Sequence, residues 1–139
     1  MAPIAFFAEL GHTLDKPNVG SPVIFDVVHL NDGNAYNNIH GVFTAPVSGL
    51  YHFTLELASP NEGSALHKVR VQMMRSWYVV GYVFLDGDGP YWSKSSATAT
   101  LHLSRGDDIW VKVMYRDGQA QIAGSSYHSI FSGFLIRSV

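Results

Sequence analysis

The chain has 139 residues, a formal net charge of −2 and no cysteine. Its length suits one domain with its own core, and we expect residues 1–139 to form a single globular domain. The nine lysines and arginines are scattered, which excludes nucleic acid as an expected partner. Only 14% of the residues are charged while 47% are hydrophobic, so we expect part of the surface to be buried against other copies of the chain.

The composition excludes further classes of structure. No apolar run approaches the roughly 18 residues of a membrane-spanning helix, and we expect no membrane insertion. The absence of cysteine leaves no disulfide and no thiolate metal site to consider. The first residues carry neither the basic segment nor the long apolar run of a secretory signal.

The clearest strand pattern lies between Gly49 and Leu57. Aromatic residues and leucines at the odd positions alternate with His, Thr and Glu at the even positions, which is the period of a half-buried strand. Upstream, a short apolar run at residues 41–45 is stopped by Pro46, and Ser48-Gly49 supplies a turn. This segment is therefore predicted to be a β-hairpin.

The rest of the chain repeats this organisation. Turn residues recur roughly every 8 to 12 positions and no stretch keeps a helical period, which predicts an all-β sandwich or barrel. The predicted strands are residues 4–10, 23–30, 41–45, 49–57, 68–75, 78–85, 98–103, 109–115 and 130–136. The predicted loops and turns are residues 11–22, 31–34, 59–65, 75–77, 86–90, 104–107 and 117–126.

Several motifs in this order resemble the globular head of complement C1q. They read VIFDVV, GNAYN, GVFTAPVSGLYHF, LSRGDDIWVKV and SIFSGFLI, and they cover nearly the whole chain. The family favours Phe or Tyr two residues after Phe53, where this chain has Leu55, a residue that still suits an inward strand position. The resemblance implies a jelly roll of about ten antiparallel strands, shared with the tumour necrosis factor family. It also implies an extracellular, secreted protein and a homotrimer, here without a collagen stalk.

Catalytic motifs are missing from the sequence. It contains no G-x-S-x-G, H-E-x-x-H, G-x-G-x-x-G or Walker A pattern, and no cysteine nucleophile. We therefore expect no enzymatic activity.

A metal site is predicted at Asp86 and Asp88. Closely spaced carboxylates on a glycine-rich loop suit a hard cation such as calcium, although D-G-D-G is also ordinary turn chemistry. In C1q heads that bind calcium, an aspartate after the equivalent strand takes part, and Asp86 matches it by resemblance. Calcium is the one cofactor we expect.

Aromatic residues beside turns suggest a ligand site. Such rings can stack on the apolar face of a sugar while neighbouring polar groups bond its hydroxyls; the alternative is that they pack in the core or between subunits. Among them, Trp92 is the ring most expected to be exposed. The predicted ligand-binding residues are Trp77, Tyr78, Asp88, Tyr91, Trp92 and Ser93.

Three functions remain open from the sequence. The favoured one, carried mainly by the resemblance, is a lectin-like pattern-recognition head of innate immunity that binds carbohydrate or microbial surface ligands as a trimer. The second is a cytokine-like or adhesive protein whose trimer binds a protein receptor in the clefts between subunits. The third is a structural or storage role without a small-molecule site.

Overall fold

The described part of the chain is built from strands. The computed structural model describes residues 2–60, 67–87 and 91–139. Within them the strands are β1 (Ala5–Glu9), β2 (Leu14–Asp15), β3 (Val27–Asp32), β4 (Tyr36–Asn37), β5 (Val42–Thr44), β6 (Gly49–Ser59), β7 (His67–Arg75), β8 (Tyr78–Gly87), β9 (Ser93–Leu103), β10 (Asp108–Gly118), β11 (Gln121–Ile122) and β12 (Ile130–Ser138). None of the described residues belongs to a helix that could cross a membrane.

The long strands form two five-stranded antiparallel sheets. Sheet I has the order β3-β1-β12-β6-β9, and sheet II has the order β4-β5-β10-β7-β8. A third, two-stranded ladder joins β2 to β11. Two antiparallel sheets that pack face to face make the predicted jelly-roll sandwich.

The core between the sheets follows from the alternation of side chains. Along β6 every odd position from Tyr51 to Leu57 is fully buried, while the even positions are partly exposed. At the centre, Phe6 stacks on Tyr36 at 4.7 Å between ring centroids and on Phe43 at 5.3 Å, and meets Phe131 edge-on at 5.0 Å. The contacts with Tyr36 and Phe43 join the two sheets, and the ring cluster gives the sandwich a densely packed interior.

One polar group in the core has a partner on the neighbouring segment. The Tyr36 hydroxyl donates to the carbonyl oxygen of Phe25 at 2.7 Å, and burial raises the pKa of Tyr36 well above its usual range. The phenol therefore stays neutral and fixes Phe25 against the core.

The predicted strand at residues 23–30 is wrong in its first half. β3 begins at Val27 and extends to Asp32, into the predicted turn. Val23 and Phe25 lie upstream in an irregular segment, yet both are fully buried. The run is apolar because it is buried. A backbone hydrogen bond, from the N–H of Val23 to the carbonyl oxygen of Val111 at 2.9 Å, attaches it to β10 in place of a strand ladder.

Two other predicted boundaries also differ. β9 begins at Ser93, five residues before the predicted start, because serines and alanines there hid the alternation of the strand. The predicted loop at residues 117–126 contains the end of β10 and the short strand β11. The predicted loops at 59–65 and 86–90 fall largely outside the described residues, but their first residues are wrong, since β6 includes Ser59 and β8 includes Asp86 and Gly87.

The glycine at position 133 is required by the packing of the core. A Cβ atom there would lie 2.4 Å from Cδ1 of Phe53 and 2.9 Å from Cε1 of Phe6. At Gly81, in contrast, a Cβ atom would meet Ala97 at an ordinary 3.5 Å.

We expect Gly133→Ala to lower the free energy of unfolding by about 1 to 3 kcal/mol, because the added methyl overpacks the core. Gly81→Ala is the matched control and should change it by less than about 0.5 kcal/mol. Urea unfolding of both variants measures the difference. Equal stability of the two would contradict the described packing around Phe53.

Candidate functional site

Strand β8 separates the predicted ligand-binding residues into two groups. Trp77 and Tyr78 lie where β8 begins, whereas Tyr91, Trp92 and Ser93 follow its end. The strand has 10 residues, so the groups are roughly 30 Å apart. The chain therefore has two candidate surfaces, named here the Trp77 end and the Trp92 end. Asp88 lies outside the described residues.

The aromatic side chains of both groups face away from the core. Exposed fractions are 87% for Trp77, 73% for Tyr78, 81% for Tyr91 and 50% for Trp92. The alternative that these rings fill the core of one chain is thereby ruled out. They are available to a ligand or to another subunit.

At the Trp92 end, the loop between β11 and β12 approaches the indole. The Trp92 ring lies 4.7 Å from the ring of His128, at an interplanar angle of 45°. Ser125, Ser126 and Tyr127 adopt φ values of 61°, 51° and 61°. Left-handed backbone is costly for residues with a Cβ atom, so this loop must be stabilised by its contacts.

The carboxylate of Glu9 supplies one of those contacts and also joins the loop to β3. It accepts the backbone N–H of Tyr127 at 2.9 Å and contacts Nε2 of His29 at 2.8 Å. The Tyr127 ring also stacks on Phe7 at 6.1 Å and lies 4.9 Å from the His29 ring. The bond from Tyr127, and then His29, lowers the pKa of Glu9. The ionised carboxylate thus holds the loop in place.

We expect Glu9→Gln to destabilise the protein by about 1 kcal/mol at neutral pH, because a charge-assisted hydrogen bond becomes a neutral one. A folded-state pKa below the unfolded value of about 4.3 stabilises the fold above that pH, and this contribution is lost as the pH falls through the lower value. Denaturant unfolding at about pH 7 and about pH 3 measures both effects.

The difference between Glu9→Gln and the parent chain should therefore shrink in acid. Asp32→Asn is the control, since the described residues give this exposed carboxylate no hydrogen-bond partner. A Glu9→Gln difference that is the same at both pH values would contradict the role of the charge.

Asp86, one of the two predicted calcium ligands, is engaged by an arginine. Arg70 donates from Nη2 to Oδ2 of Asp86 at 2.8 Å and from Nε to Oδ1 at 3.2 Å. These bonds lower the pKa of Asp86. Across residues 2–60, 67–87 and 91–139, no group of three or more His, Asp or Glu side chains could hold a metal ion. A cation at Asp86 would have to compete with the guanidinium.

Arg70 also organises an aromatic surface on the outer face of sheet II. Its guanidinium carbon lies 5.0 Å from the centre of the Phe84 ring and 5.2 Å from that of Tyr115. Tyr82 contacts Phe84 edge-on at 5.8 Å, and both rings are about half exposed. A partly exposed arginine between aromatic rings is a composition typical of protein interfaces.

A groove of about 700 Å³ lies along the turns between β3 and β5, but its polar groups hold those turns. The side chain of Asn31 bonds to both backbone groups of Tyr36. Asn37 accepts the N–H groups of residues 39 and 40, and Asn38 donates to the carbonyl oxygen of Asp26. Few of these amides are free for a ligand.

The structure adds four residues to the candidate surfaces that were not among the predicted site residues. Tyr127 and His128 join the Trp92 end, as described above. Trp110 and Asp108 join the Trp77 end, where they line a pocket with Trp77. Their positions depend on strand register and loop closure, for which the sequence carries no local pattern.

Comparison with known proteins agrees with this architecture. The C1q domain model matches residues 5–136. Complement C1q tumor necrosis factor-related protein 3 of Mus musculus is 31% identical over 134 residues, which cover 96% of this chain and 51% of that protein. The chain spans about half or less of the length of the curated relatives it matches.

Solved structures confirm the fold. The globular domain of zebrafish complement 1qA protein superposes with a TM-score of 0.78 at 19% identity, covering 98% of this chain and 99% of that one. Eiger TNF from S. frugiperda gives a TM-score of 0.69 at 10% identity, covering 100% and 96%. At such identities the likeness concerns the fold alone, and it confirms the jelly roll shared by C1q and tumour necrosis factor proteins.

Proposed function

Because the chain belongs to the C1q domain family, we propose that it is a non-enzymatic recognition head that acts outside the cell and binds carbohydrate on microbial surfaces as a homotrimer. Family membership and fold support a binding protein of the C1q type. The observation that carries the carbohydrate assignment is the exposed aromatic group at the Trp92 end.

The main feature of the Trp92 end is its exposed aromatic rings. Tyr91 is 81% and Trp92 50% exposed, and Trp92 is supported from one side by His128. An indole held in this way can stack on the C–H face of a sugar, while the hydroxyls of Ser125 and Ser126, both exposed, lie on the same loop as His128. Apolar rings combined with hydroxyls fit a sugar better than a purely apolar ligand.

Self-association is supported by the outer face of sheet I. Leu30, Phe134 and Ile136 are exposed by 41%, 46% and 47% there, on strands whose opposite face already packs in the core. Covering these side chains with a second copy removes apolar surface from water. Three linked heads would also convert weak single contacts into tight binding to a repetitive surface.

We expect the purified protein to bind selected glycans or microbial polysaccharides on an array, and free sugar to compete. Trp92→Ala should weaken binding by at least about tenfold, the equivalent of 1.4 kcal/mol, because the stacking surface is lost. Ile39→Ala removes an exposed apolar side chain elsewhere and should bind like the parent. Selective binding that Trp92→Ala leaves unchanged would refute the role of this end.

Calcium is proposed as the cofactor of the same end, with Asp86 and Asp88 as ligands. The array repeated in a chelator tests this, since loss of binding that calcium restores would support the site. Binding that is unchanged in the chelator would contradict the calcium site. The role of Asp86 would then be its ion pair with Arg70.

We expect light scattering to give the mass of three chains, and Phe134→Asp to shift the protein towards monomer. A carboxylate in the centre of the apolar face cannot be buried without a partner, so association should weaken by at least about tenfold. Val19→Asp, at an exposed apolar residue in the loop before Val23, should leave the trimer intact. A monomeric parent chain would overturn the trimer.

A second candidate is a trimer that binds a protein receptor. The surface formed by Arg70, Tyr82, Phe84 and Tyr115 favours it, because aromatic residues and arginine dominate the energetic centres of protein interfaces. A trimer that binds no glycan on the array would favour this candidate over the first.

A further inference from the structure

A small pocket opens at the Trp77 end, between the turn from β7 to β8 and the start of β10. Its volume is about 270 Å³, and it is lined by Ser76, Trp77, Asp108 and Trp110. The two indoles come from positions 33 apart in the sequence, and both line this pocket because β7 pairs with β10, with Ile109 opposite Arg75.

The walls of this pocket are fixed by hydrogen bonds. The backbone N–H of Ser76 donates to the carbonyl oxygen of Asp108 at 3.0 Å. In return, Nε1–H of Trp110 donates to the carbonyl oxygen of Ser76 at 3.1 Å. Arg75 and Asp107 add an ion pair of 2.8 Å beside the turn. A ligand would therefore enter a preorganised site and lose little affinity to ordering the protein.

The turn itself carries residues that folding does not require. Ser76 has a φ of 49°, at the first central position of a two-residue hairpin, where Gly is the usual choice. Trp77 follows it, is 87% exposed and makes no ring contact with the described residues. The turn does not need a large apolar side chain, and exposing one to water is unfavourable. This indole is therefore available for a ligand.

The polar groups of the pocket complete the chemistry of a sugar site. Oδ1 of Asp108 accepts the hydroxyl of Thr44 at 2.8 Å. Its Oδ2, the hydroxyl of Ser76 and the indole N–H of Trp77 have no hydrogen-bond partner among the residues the structure describes. The pocket thus combines aromatic surface with one free carboxylate oxygen and two free donors, one of which can also accept.

We propose that this pocket binds a single neutral sugar ring, as a second carbohydrate subsite independent of the Trp92 end. The assignment rests on the proposed carbohydrate function and adds a location and a ligand class to it. The indoles stack on the ring, and Asp108 accepts its hydroxyls. The same carboxylate repels acidic sugars, so the site selects neutral hexoses over sialic acid.

The three tryptophans of the chain make a direct test possible. Each gives one indole N–H signal in a nitrogen–proton NMR spectrum of the whole protein, and the signals can be assigned with Trp77→Phe, Trp92→Phe and Trp110→Phe. Methyl glycosides of glucose, galactose, mannose and N-acetylglucosamine are titrated, with N-acetylneuraminic acid as the acidic comparator. We expect at least one neutral glycoside to shift the Trp77 and Trp110 signals in a saturable way.

Two variants test the roles of the lining residues. Trp77→Ala, at an exposed position, should raise the dissociation constant obtained from the Trp110 signal at least tenfold and leave the response of the Trp92 signal unchanged. Asp108→Asn keeps an oxygen for Thr44 and should also weaken binding of the neutral glycoside, while it reduces the discrimination against N-acetylneuraminic acid.

The outcomes separate this inference from the proposed function. Shifts confined to Trp92 would leave the carbohydrate function standing and overturn the second subsite. Equal binding of the acidic sugar would overturn the selectivity for neutral rings. Absence of any saturable shift at all three indoles would contradict both proposals. Shifts confined to Trp77 and Trp110 would support the pocket and contradict sugar binding at the Trp92 end.

Discussion

The packing of Phe6 against rings from both sheets is the contact on which the rest of the structure depends. Phe6 belongs to sheet I, and its partner Phe43 belongs to sheet II, so one cluster joins the two layers. Gly133 leaves the space in which Phe6 and Phe53 fit. Since interiors of this kind are packed as densely as crystals, the inward positions of the long strands have no freedom to serve another purpose.

Recognition is therefore confined to the outward positions and to the ends of the strands. The exposed rings at the two ends are supported by different contacts. At the Trp92 end, an ionised Glu9 holds a loop in a backbone conformation that its residues do not favour. At the Trp77 end, the backbone groups of Ser76 are tied to β10 from both sides. In both cases exposed rings stand on a rigid frame, which suits binding without rearrangement.

The sequence predicted the sandwich well because its signal is periodic. Along β6, alternation identified both the strand and its buried face. The aromatic residues beside turns were predicted as ligand contacts, but Trp92, the ring most expected to be exposed, is the least exposed of the four. The failures have physical causes. Val23 and Phe25 are buried without strand pairing, and the polar start of β9 has no apolar period. The placement of Trp77 and Trp110 around one pocket depends on the register between β7 and β10, which no local pattern specifies.

The position of the two candidate subsites at opposite ends of β8 limits how a trimer could use them. A flat microbial surface can face one end of a strand but not both, so three equivalent sites at one end add to each other, whereas sites at the other end face away. Avidity on one surface therefore depends on a single end. If the second end also binds sugar, it would attach the trimer to a second microbial surface. With rings at both ends of a strand roughly 30 Å apart, a trimer that bound sugar at both ends would bridge two particles as well as bind one.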